Sequence, residues 1–465
     1  MLMRPWLCQW RLDVLDADLR RPLKGRLLTE FSMLGLSPRL MKILEDQGLD
    51  KPTPIQARAI PEVMNGRDVM GLAQTGTGKT LAFGLPLLHH AISVGTKPAD
   101  RKTRALVLAP TRELVNQIAE QLYNFTKGSH LKVNRVVGGA SINTQIKRLE
   151  RGTDILVATP GRLIDLIERR AIFLDETEFL VLDEADQMLD MGFIHALRRL
   201  VPLLAKERQT MLFSATMNKQ MSEIAGAYLT NPVRIEVSPP GKVADKVSQV
   251  VHFVGQGAKG DKLIQLLGAH KDEMALVFGR TKHGCEKLMK KLVAAGFKAG
   301  SIHGNKSQSQ RERTLASFRS GDIKVLVATD VAARGIDIPG VRFVYNFELP
   351  NVPENYVHRI GRTARAGRDG TAIAFCAPDE IGELRDIEKV MGLRIDVASG
   401  QPPADETPVK KPQRGGRGGG GGGGGGNGGG GRRRFGAKPG GGQAAGGGAG
   451  GAGKPKGRKP RRKVA

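Results

Sequence analysis

The stretch DVMGLAQTGTGKT, residues 68–80, joins a short apolar run to a glycine-rich loop that ends in Lys79 and Thr80. Glycines let backbone N–H groups turn inward around phosphate oxygens, and a lysine in this position reaches the β- and γ-phosphates of a nucleotide. The pattern predicts a strand, a phosphate-binding loop and a helix whose first turn favours an anion. The predicted nucleotide contacts are Ala73, Gln74, Thr75, Gly76, Thr77, Gly78, Lys79 and Thr80.

A second motif, VLDEAD at residues 181–186, ends another predicted strand further along the chain. Two adjacent carboxylates at a strand end are weak evidence alone, but the preceding phosphate loop gives them a role. Asp183 and the Thr80 hydroxyl are predicted to hold Mg²⁺, largely through water. Glu184 is the candidate base that orients and deprotonates the attacking water. Together the two motifs predict a nucleoside triphosphate, which the resemblance described below identifies as ATP, and Mg²⁺ as cofactors.

Short apolar runs alternate with amphipathic stretches over residues 31–400, which predicts repeated β–α–β units and open parallel sheets. The first series of predicted strands comprises DVMGLA (68–73), RALVLAP (104–110), DILVATP (154–160), EFLVLDEAD (178–186) and QTMLFSAT (209–216). The second series comprises VVHFV (250–254), MALVFGRT (274–281), KAGSIHG (298–304), IKVLVATD (323–330), VRFVYNF (341–347) and GTAIAFCAP (370–378).

The segment between the two series, residues 231–249, contains Pro-Pro-Gly and several charges, which is typical of an interdomain linker. Residues 1–30 fit neither series, and we expect a poorly structured extension there, with the natural chain starting near Leu28 or Thr29. The predicted organisation is an extension over 1–30, a first α/β domain over 31–238, a linker over 239–249, a second α/β domain over 250–397 and a tail over 398–465.

The tail is the most basic part of the chain. The formal net charge is +26, from 72 Lys and Arg against 46 Asp and Glu, and residues 401–465 contribute half of it. The same segment holds 26 of the 61 glycines and one aromatic residue, Phe435. Such a composition predicts disorder and binding to nucleic acid through charge. The alternative interpretation is a tail that only increases solubility.

Several classes of protein are excluded or disfavoured by composition. The apolar runs are far shorter than a membrane span, so no membrane partner is expected. Asp13, Asp16 and Asp18 interrupt the N-terminal segment, which disfavours a signal peptide. The three cysteines are far apart and form no CxxC pair, which disfavours a structural zinc site and a disulfide framework. We therefore expect a cytoplasmic protein.

Asp183-Glu184-Ala185-Asp186 is the signature of the DEAD-box ATP-dependent RNA helicases, and the sequence resembles that family from about Phe31 to about Gly392. The matching motifs occur in family order: PTPIQ (52–56), AQTGTGKT (73–80), PTREL (110–114), GG (138–139), TPGR (159–162), DEAD (183–186), SAT (214–216), LVFGRT (276–281), ATDVAARGID (328–337) and HRIGRTARAGR (358–368). The flanking PTPIQARAIP, MLDMGF (188–193) and TKHGCEKL (281–288) look most like the bacterial RhlE-type subgroup.

The resemblance implies an α/β fold of two tandem RecA-like parallel-sheet domains with a disordered Gly/Arg/Lys-rich C-terminal tail. In the ATP site it implies that Gln56 reads the adenine edge, that Phe31 supports this pocket and that Gly335 and Asp337 approach the ribose. It implies that Ser214 and Thr216 couple the nucleotide state to RNA separation through hydrogen bonds with the DEAD carboxylates. Arg362 and Arg365 match the arginine fingers that reach the γ-phosphate.

The family's RNA-contacting motifs match Pro110, Thr111, Arg112, Glu113, Gly138, Gly139, Thr159, Pro160, Gly161 and Arg162 in the first domain, and Arg280, Gly304 and Thr329 in the second. The glycines in these motifs permit close approach to a sugar–phosphate chain. Such contacts read no bases, so we expect binding that is independent of sequence, with RNA recognised through its 2′-hydroxyls.

HRIGRTARAGR places Arg359, Arg362 and Arg365 three residues apart, and positions i and i+3 share a face of a helix. This spacing predicts that Arg362 and Arg365 point at one phosphate. Two positions depart from the family pattern. Leu49 follows Gly48 where an aromatic residue usually stacks on adenine. Ala364 stands where glycine is usual, and we expect its methyl group to be tolerated on a helix.

These features predict an enzyme, an RNA-dependent ATPase that binds single-stranded RNA and locally unwinds short duplexes while hydrolysing ATP to ADP and phosphate. Ribosomal RNA and the RNA-decay machinery are candidate partners by resemblance alone. One alternative is an ATP-gated RNA clamp or annealing chaperone, which the Gly/Arg tail favours in part. A second alternative is a DNA-directed translocase of the same superfamily, against which the DEAD and PTPIQ motifs argue.

Overall fold

The computed structural model describes residues 30–73, 76–237, 247–333, 338, 340–364 and 369–402. Within them lie two seven-stranded sheets in which every recorded strand pairing is parallel. The predicted fold class, two tandem α/β domains with parallel sheets, is confirmed. Only Glu30 of the predicted extension over 1–30 is described, and most of the predicted tail lies outside the described residues. The predicted start of the tail at residue 398 is wrong, because Ala398 and Ser399 belong to the last strand of the second sheet.

The first sheet has the strand order β3-β4-β2-β5-β6-β1-β7. Its strands are β1 (Val69–Leu72), β2 (Thr103–Leu108), β3 (Val133–Val136), β4 (Thr153–Ala158), β5 (Phe179–Leu182), β6 (Gln209–Ser214) and β7 (Val233–Glu236). The second sheet has the order β10-β11-β9-β12-β13-β8-β14. Its strands are β8 (Val247–Phe253), β9 (Met274–Gly279), β10 (Ala299–Ile302), β11 (Val325–Thr329), β12 (Val341–Asn346), β13 (Gly370–Cys376) and β14 (Asp396–Ser399).

Helices connect the strands and cover both faces of each sheet. Those of the first domain are α1 (Pro38–Asp46), α2 (Pro54–Met64), α3 (Lys79–Val94), α4 (Arg112–Thr126), α5 (Ile142–Leu149), α6 (Pro160–Glu168), α7 (Ala185–Asp190), α8 (Ile194–Leu200) and α9 (Lys219–Tyr228). Those of the second are α10 (Lys259–Ala269), α11 (Lys282–Ala294), α12 (Gln308–Arg319), α13 (Asp330–Ala333), α14 (Pro353–Ile360) and α15 (Ile381–Met391). Short 3₁₀ turns occupy Phe31–Leu34, Val201–Leu203 and Pro378–Glu380.

The central strands are apolar on both faces, as expected for parallel sheets covered on two sides. On β2, Val107 packs into one apolar cluster of the first domain, whereas Leu106 and Leu108 pack into the other. On β9, Val277 and Leu276 divide between two clusters in the same way. This explains why these strands appear in the sequence as continuous apolar runs without alternation.

The predicted linker is shorter in the structure than in the sequence interpretation. Val233–Glu236 forms edge strand β7, which pairs with β1 through Val69↔Val233. Strand β8 begins at Val247 instead of the predicted Val250. The sequence signal of β7 is weak because Ile235 is the only one of its four residues that is buried.

The polar motifs of the sequence follow the carboxyl ends of the strands in both sheets. AQTGTGKT follows β1, PTREL follows β2, TPGR follows β4 and DEAD follows β5. In the second sheet, Arg280 follows β9 and Gly304 follows β10 shortly after. The carboxyl edge is where parallel α/β sheets bind ligands, so the fold gathers the motifs on two such edges. Among the described residues, no helix is long and apolar enough to cross a membrane.

A buried ion pair inside the second domain gives a test of its packing. The Lys259 side chain is fully buried, donates to the Phe347 carbonyl at 3.1 Å and pairs with the buried Glu380 carboxylate. Lys259→Ala leaves that carboxylate in a low-dielectric site with less compensation, and we expect a loss of about 3–5 kcal/mol in the free energy of unfolding. Hydrogen–deuterium exchange of the β13 amides measures this loss. The exposed Lys271→Ala is the control, and a loss of less than about 1 kcal/mol would contradict the assignment.

Candidate functional site

The phosphate loop leads directly into α3, which begins at Lys79. Gly76 and Gly78 have φ values of +81° and +92°, a region that residues with a Cβ adopt at a cost. The Lys79 amine is buried, and its Nζ lies 3.7 Å from Asp183 Oδ1. The structure therefore brings the predicted phosphate-binding lysine and the predicted metal-binding carboxylate together. Gln74 and Thr75 lie outside the described residues.

Gln56 contacts the phosphate loop through its side-chain amide. Its Oε1 accepts from the Thr53 backbone N–H at 2.8 Å, and its Nε2 donates to the Gly78 carbonyl at 2.9 Å. To read an adenine edge, as predicted, Gln56 therefore has to give up these two hydrogen bonds and form new ones with the base. Phe31 is buried in the apolar cluster that covers the same side of the sheet, and the half-buried Leu49 packs against that cluster.

The carboxylates of the DEAD segment lie at the end of β5 and the start of α7. Asp183, Glu184 and Asp186 are 2%, 4% and 5% exposed, although the segment carries three formal negative charges. Glu184 has a φ of +50°, so the backbone is strained at the predicted base. Glu184 Oε2 is buried without a hydrogen-bond partner among the described residues. This oxygen is therefore available to accept a proton from water.

Burial raises the pKa of both Asp183 and Glu184, because charged carboxylates lose their hydration there. The Lys79 amine opposes this shift of the pKa at both carboxyls, and the charge of Arg362 opposes it at Glu184. The pocket thus holds more negative charge than one lysine compensates. Such a donor set fits a divalent cation, and Asp183 with the nearby Thr80 hydroxyl are the residues that could hold Mg²⁺.

Of the predicted pair in the SAT segment, Thr216 bonds directly to a DEAD carboxylate and Ser214 does not. Thr216 donates both its backbone N–H, at 2.9 Å, and its hydroxyl, at 3.1 Å, to Asp186 Oδ2. The Ser214 hydroxyl instead donates to the Thr216 carbonyl at 2.6 Å. The prediction that Ser214 bonds directly to a DEAD carboxylate is wrong, and Ser214 holds the turn that presents Thr216.

A small cavity of about 50 Å³ joins this pocket to the second domain. Its walls from the first domain include Lys79, Glu184, Gln187 and Thr216, and those from the second domain include Glu354, Val357, His358 and Gly361. The second domain therefore closes one side of the space next to the predicted base.

The arginine motif differs from its prediction. Helix α14 ends at Ile360, so Arg362 lies beyond it, and Arg365 lies outside the described residues. Arg359 is 1% exposed and forms an ion pair with Asp330 at 2.5 Å, which makes it a structural residue of the second domain. Arg362 is buried, and its Nε donates to the His358 carbonyl at 3.3 Å.

Ala364 also lies beyond α14, with a φ of +55°. The expectation that its methyl group sits on a helix is therefore wrong. In this left-handed region a Cβ crowds the backbone, which is why glycine is favoured there. The chain accepts strain at this position, immediately before Arg365.

The predicted RNA-contacting residues of the first domain surround three strand ends. The Thr111 hydroxyl caps α4 by accepting from the Leu114 N–H at 3.2 Å, and Arg162 Nη1 donates to the Ala140 carbonyl at 3.0 Å. The Arg112 guanidinium lies against the glycine pair: a Cβ on Gly139 would come within 2.2 Å of its Nη1. Pro110, Glu113, Gly138, Thr159, Pro160 and Gly161 belong to the same three loops and helix starts.

In the second domain, Arg280 is held by protein contacts. Its backbone N–H donates to Glu348 at 2.7 Å, its Nε donates to the Leu349 carbonyl at 2.5 Å, and its guanidinium lies 3.4 Å from Glu380. Thr329 ends β11. A Cβ on Gly304 would meet no atom within 4 Å, so that backbone is open to a ligand. Gly335 and Asp337 lie outside the described residues.

Sequence reasoning missed two residues that contact the predicted RNA motif of the first domain. Gln308 Oε1 accepts from Arg112 Nη1 at 3.2 Å, and Arg311 Nη2 lies 3.0 Å from Glu113 Oε1. Burial, followed by the charge of Arg311, lowers the pKa of Arg112. Both residues lie on α12, where helical periodicity marks them only as polar, so the sequence carried no signal for this contact.

Two family descriptions match the chain: DEAD/DEAH box helicase over residues 53–224, and Helicase conserved C-terminal domain over residues 258–367. The chain is 44% identical over 368 residues to the ATP-dependent RNA helicase CshA of Listeria monocytogenes, covering 79% of this chain and 70% of that one. It is 44% identical over 369 residues to the DEAD-box ATP-dependent RNA helicase CshA of Geobacillus kaustophilus, covering 79% and 78%.

Solved structures agree with this likeness. S. cerevisiae Dbp5 bound to RNA and ADP BeF3 superposes with a TM-score of 0.73 at 33% identity, covering 80% of this chain and 96% of that chain. Mss116p bound to ssRNA and AMP-PNP superposes with a TM-score of 0.74 at 26% identity, covering 82% and 81%. The described fold is therefore that of tandem RecA-like domains.

Because the backbone at Ala364 is strained, replacing this alanine with glycine should stabilise the protein, whereas glycine usually destabilises it. Ala364→Gly removes a Cβ from a left-handed backbone, and we expect the free energy of unfolding to rise by up to about 1 kcal/mol. The control is Ala294→Gly in the exposed last turn of α11, which should lose about 0.5–1 kcal/mol. Urea denaturation compares the two variants. Equal losses would show that the backbone at Ala364 is not left-handed.

Proposed function

The chain belongs to the DEAD-box family of ATP-dependent RNA helicases, and we propose that it works as a clamp that closes on ATP and single-stranded RNA together. The observation that carries this proposal is the cavity beside Glu184, whose walls come from both domains. The contacts Arg112–Gln308 and Glu113–Arg311 join the predicted RNA motif to the second domain in the same way. ATP hydrolysis and RNA binding therefore both depend on one closed arrangement of the two domains.

ATP binds, in this proposal, with its phosphates on the loop from Ala73 to Thr80. The Lys79 amine pairs with the β- and γ-phosphates, and the N-terminus of α3 adds its positive end. Gln56 leaves the Gly78 carbonyl to read the adenine edge, so nucleotide binding changes the loop that Gln56 holds. Gly335 and Asp337 approach the ribose. Leu49 offers less stacking surface to adenine than an aromatic side chain.

Asp183 and Thr80 would hold Mg²⁺, largely through water. The bound ion supplies positive charge to the phosphate oxygens during transfer. The raised pKa of Asp183, caused by its burial beside one amine, supports this assignment because a second cation relieves that cost.

Hydrolysis follows from the position of Glu184. Its unpartnered Oε2 accepts the proton of a water molecule in the cavity as that water attacks the γ-phosphate. Arg362, together with Arg365, neutralises the charge that spreads over the γ-phosphate oxygens, a contribution commonly worth about 10³–10⁵ in rate. Thr216 reports the nucleotide state through Asp186, and Ser214 holds the Thr216 turn.

RNA lies across the carboxyl edges of both sheets, against the first-domain loops that carry Arg112, Gly139 and Arg162 and against Gly304, Thr329 and Arg280 in the second. Backbone and guanidinium groups in these loops suit phosphates and sugars, which gives binding that is independent of sequence. Closure bends one strand in a way that a duplex cannot follow, so a short duplex opens locally. ADP and phosphate release then reopens the clamp.

The finer assignments also remain proposals. The RhlE-type subgroup is supported by the motifs PTPIQARAIP and MLDMGF, whereas the relatives compared above are named CshA. A cytoplasmic location is supported by the free, buried thiols of Cys285 and Cys376. The domain limits 31–238 and 250–397 are supported by the two sheets, with the second domain extended at its two ends to include Val247 and Ser399. Ribosomal RNA and the RNA-decay machinery remain candidate partners.

Glu184→Gln tests the hydrolytic role directly. The amide is nearly isosteric but cannot accept the proton, so ATP and RNA should still bind while single-turnover hydrolysis falls about 10²–10⁴-fold. Lys79→Ala is the comparison variant and should instead weaken nucleotide binding. Hydrolysis at the wild-type rate by Glu184→Gln would remove Glu184 from the role of base.

Deleting residues 401–465 tests the proposed tail. The deletion removes 15 Lys and Arg, so RNA affinity should fall and its dependence on salt should become less steep, because fewer counterions are released. Fluorescence anisotropy over a salt series measures both quantities. Replacing the same 15 cations with glutamine in the full-length chain controls for tail length. An unchanged salt slope would leave the tail as a spacer.

A further inference from the structure

A row of exposed cations runs along the free edge of the first sheet, next to the glycine pair of the proposed RNA site. It comprises Arg135 on edge strand β3 and Lys147, Arg148 and Arg151 on and just after α5. We call this row the edge ridge. Lys147 and Arg148 follow Thr144 at i+3 and i+4 and lie on one helix face, and Arg151 follows two residues after the helix ends. Gln145 and Leu149 are buried on the opposite face, against the sheet.

The ridge is continuous with the proposed RNA site. Gly138 and Gly139 lie in the loop that joins β3 to α5, and Arg112 and Arg162 contact that loop. Helix α5 starts at this loop and spans about 12 Å at 1.5 Å per residue. The hydrogen bond from Asn134 Nδ2 to the Arg148 carbonyl, 3.4 Å, holds the end of α5 against β3. A chain that leaves the glycine pair along this side of the domain therefore meets the ridge.

The four cations of the ridge differ from most other exposed arginines of the same domain. None has an ion pair or a side-chain hydrogen bond with a residue that the structure describes. By contrast, Arg169 lies 2.8 Å from Asp165, and Arg199 lies 2.6 Å from Glu168. The ridge therefore presents four positive charges without an ion-pair partner among the described residues, an arrangement that attracts a polyanion.

Protection of the free sheet edge against pairing would account for a charge on β3. It would not account for Lys147 and Arg148, which lie on the outer face of a helix. We propose that the edge ridge binds the phosphate backbone of RNA that extends beyond the proposed site, as a second, sequence-independent contact region. The inference rests on the proposed placement of RNA at Gly138 and Gly139 and adds the path by which the flanking RNA leaves.

The test variant replaces all four ridge cations: Arg135→Gln, Lys147→Gln, Arg148→Gln and Arg151→Gln. The matched control removes the same charge from exposed cations before the amino ends of strands, on the opposite side of the sheets: Lys206→Gln, Lys271→Gln, Lys298→Gln and Arg319→Gln. Both variants keep the tail. Thermal melts by circular dichroism establish that each is folded.

Two RNAs are compared in the presence of a non-hydrolysable ATP analogue. The short RNA is the shortest oligouridine that fully stimulates the wild-type ATPase, and the long RNA carries single-stranded extensions at both ends. In the ridge variant, affinity for the short RNA and the RNA-stimulated kcat should match the wild type. The long RNA should lose its higher affinity relative to the short RNA. The slope of its log affinity against log salt concentration should fall by about 0.7 for each lost phosphate contact, or about 1.5–3 in total.

Three results would overturn the inference: an unchanged salt slope for the long RNA, equal losses for the short and long RNAs, or equal losses in the control variant. If RNA binding is unchanged, an acidic protein becomes the expected partner of the edge ridge. If the short RNA fails to stimulate the wild-type ATPase at all, the proposed function itself has failed. That failure is visible before any variant is measured.

Discussion

The structure depends on three carboxylates buried beside one amine. Asp183, Glu184 and Asp186 are almost inaccessible, and Lys79 is the cation that approaches Asp183 most closely among the described contacts. Burying uncompensated charge is costly, so the pocket is electrostatically incomplete by itself. The proposed Mg²⁺ and the proposed contribution of Arg362 from the second domain would supply the missing positive charge. The charge of Arg362 already acts on Glu184 in the described arrangement.

The shortage of positive charge in this pocket explains why the site draws on residues from both domains. The first sheet holds the nucleotide loop and the carboxylates at its carboxyl edge, and the second supplies Arg362 and one wall of the cavity. The RNA motif is divided in the same manner, because Arg112 and Glu113 meet Gln308 and Arg311. In the proposed mechanism ATP and RNA stabilise the same closed state, so each should raise the affinity for the other by the same factor.

The fold and much of the site could be predicted from local sequence signals. The loop AQTGTGKT and the segment DEAD follow apolar strands, and the parallel topology brings their carboxyl ends to one edge, with Lys79 and Asp183 3.7 Å apart. The failures concern tertiary placement. Spacing in HRIGRTARAGR suggested one helix, but α14 ends at Ile360 and leaves Ala364 at a positive φ. Gln308 and Arg311 had no motif of their own, because their roles arise only where the two domains meet.

In the proposed mechanism, ATP and RNA are coupled reciprocally through one closed arrangement of the two domains. The most direct test measures the Kd for single-stranded RNA with and without a non-hydrolysable ATP analogue, and the Kd for that analogue with and without RNA. Coupling through closure requires both affinities to rise by the same factor, about 5- to 150-fold for a typical coupling. Affinities that do not depend on the other ligand would contradict it, because each domain would then bind its ligand without closure.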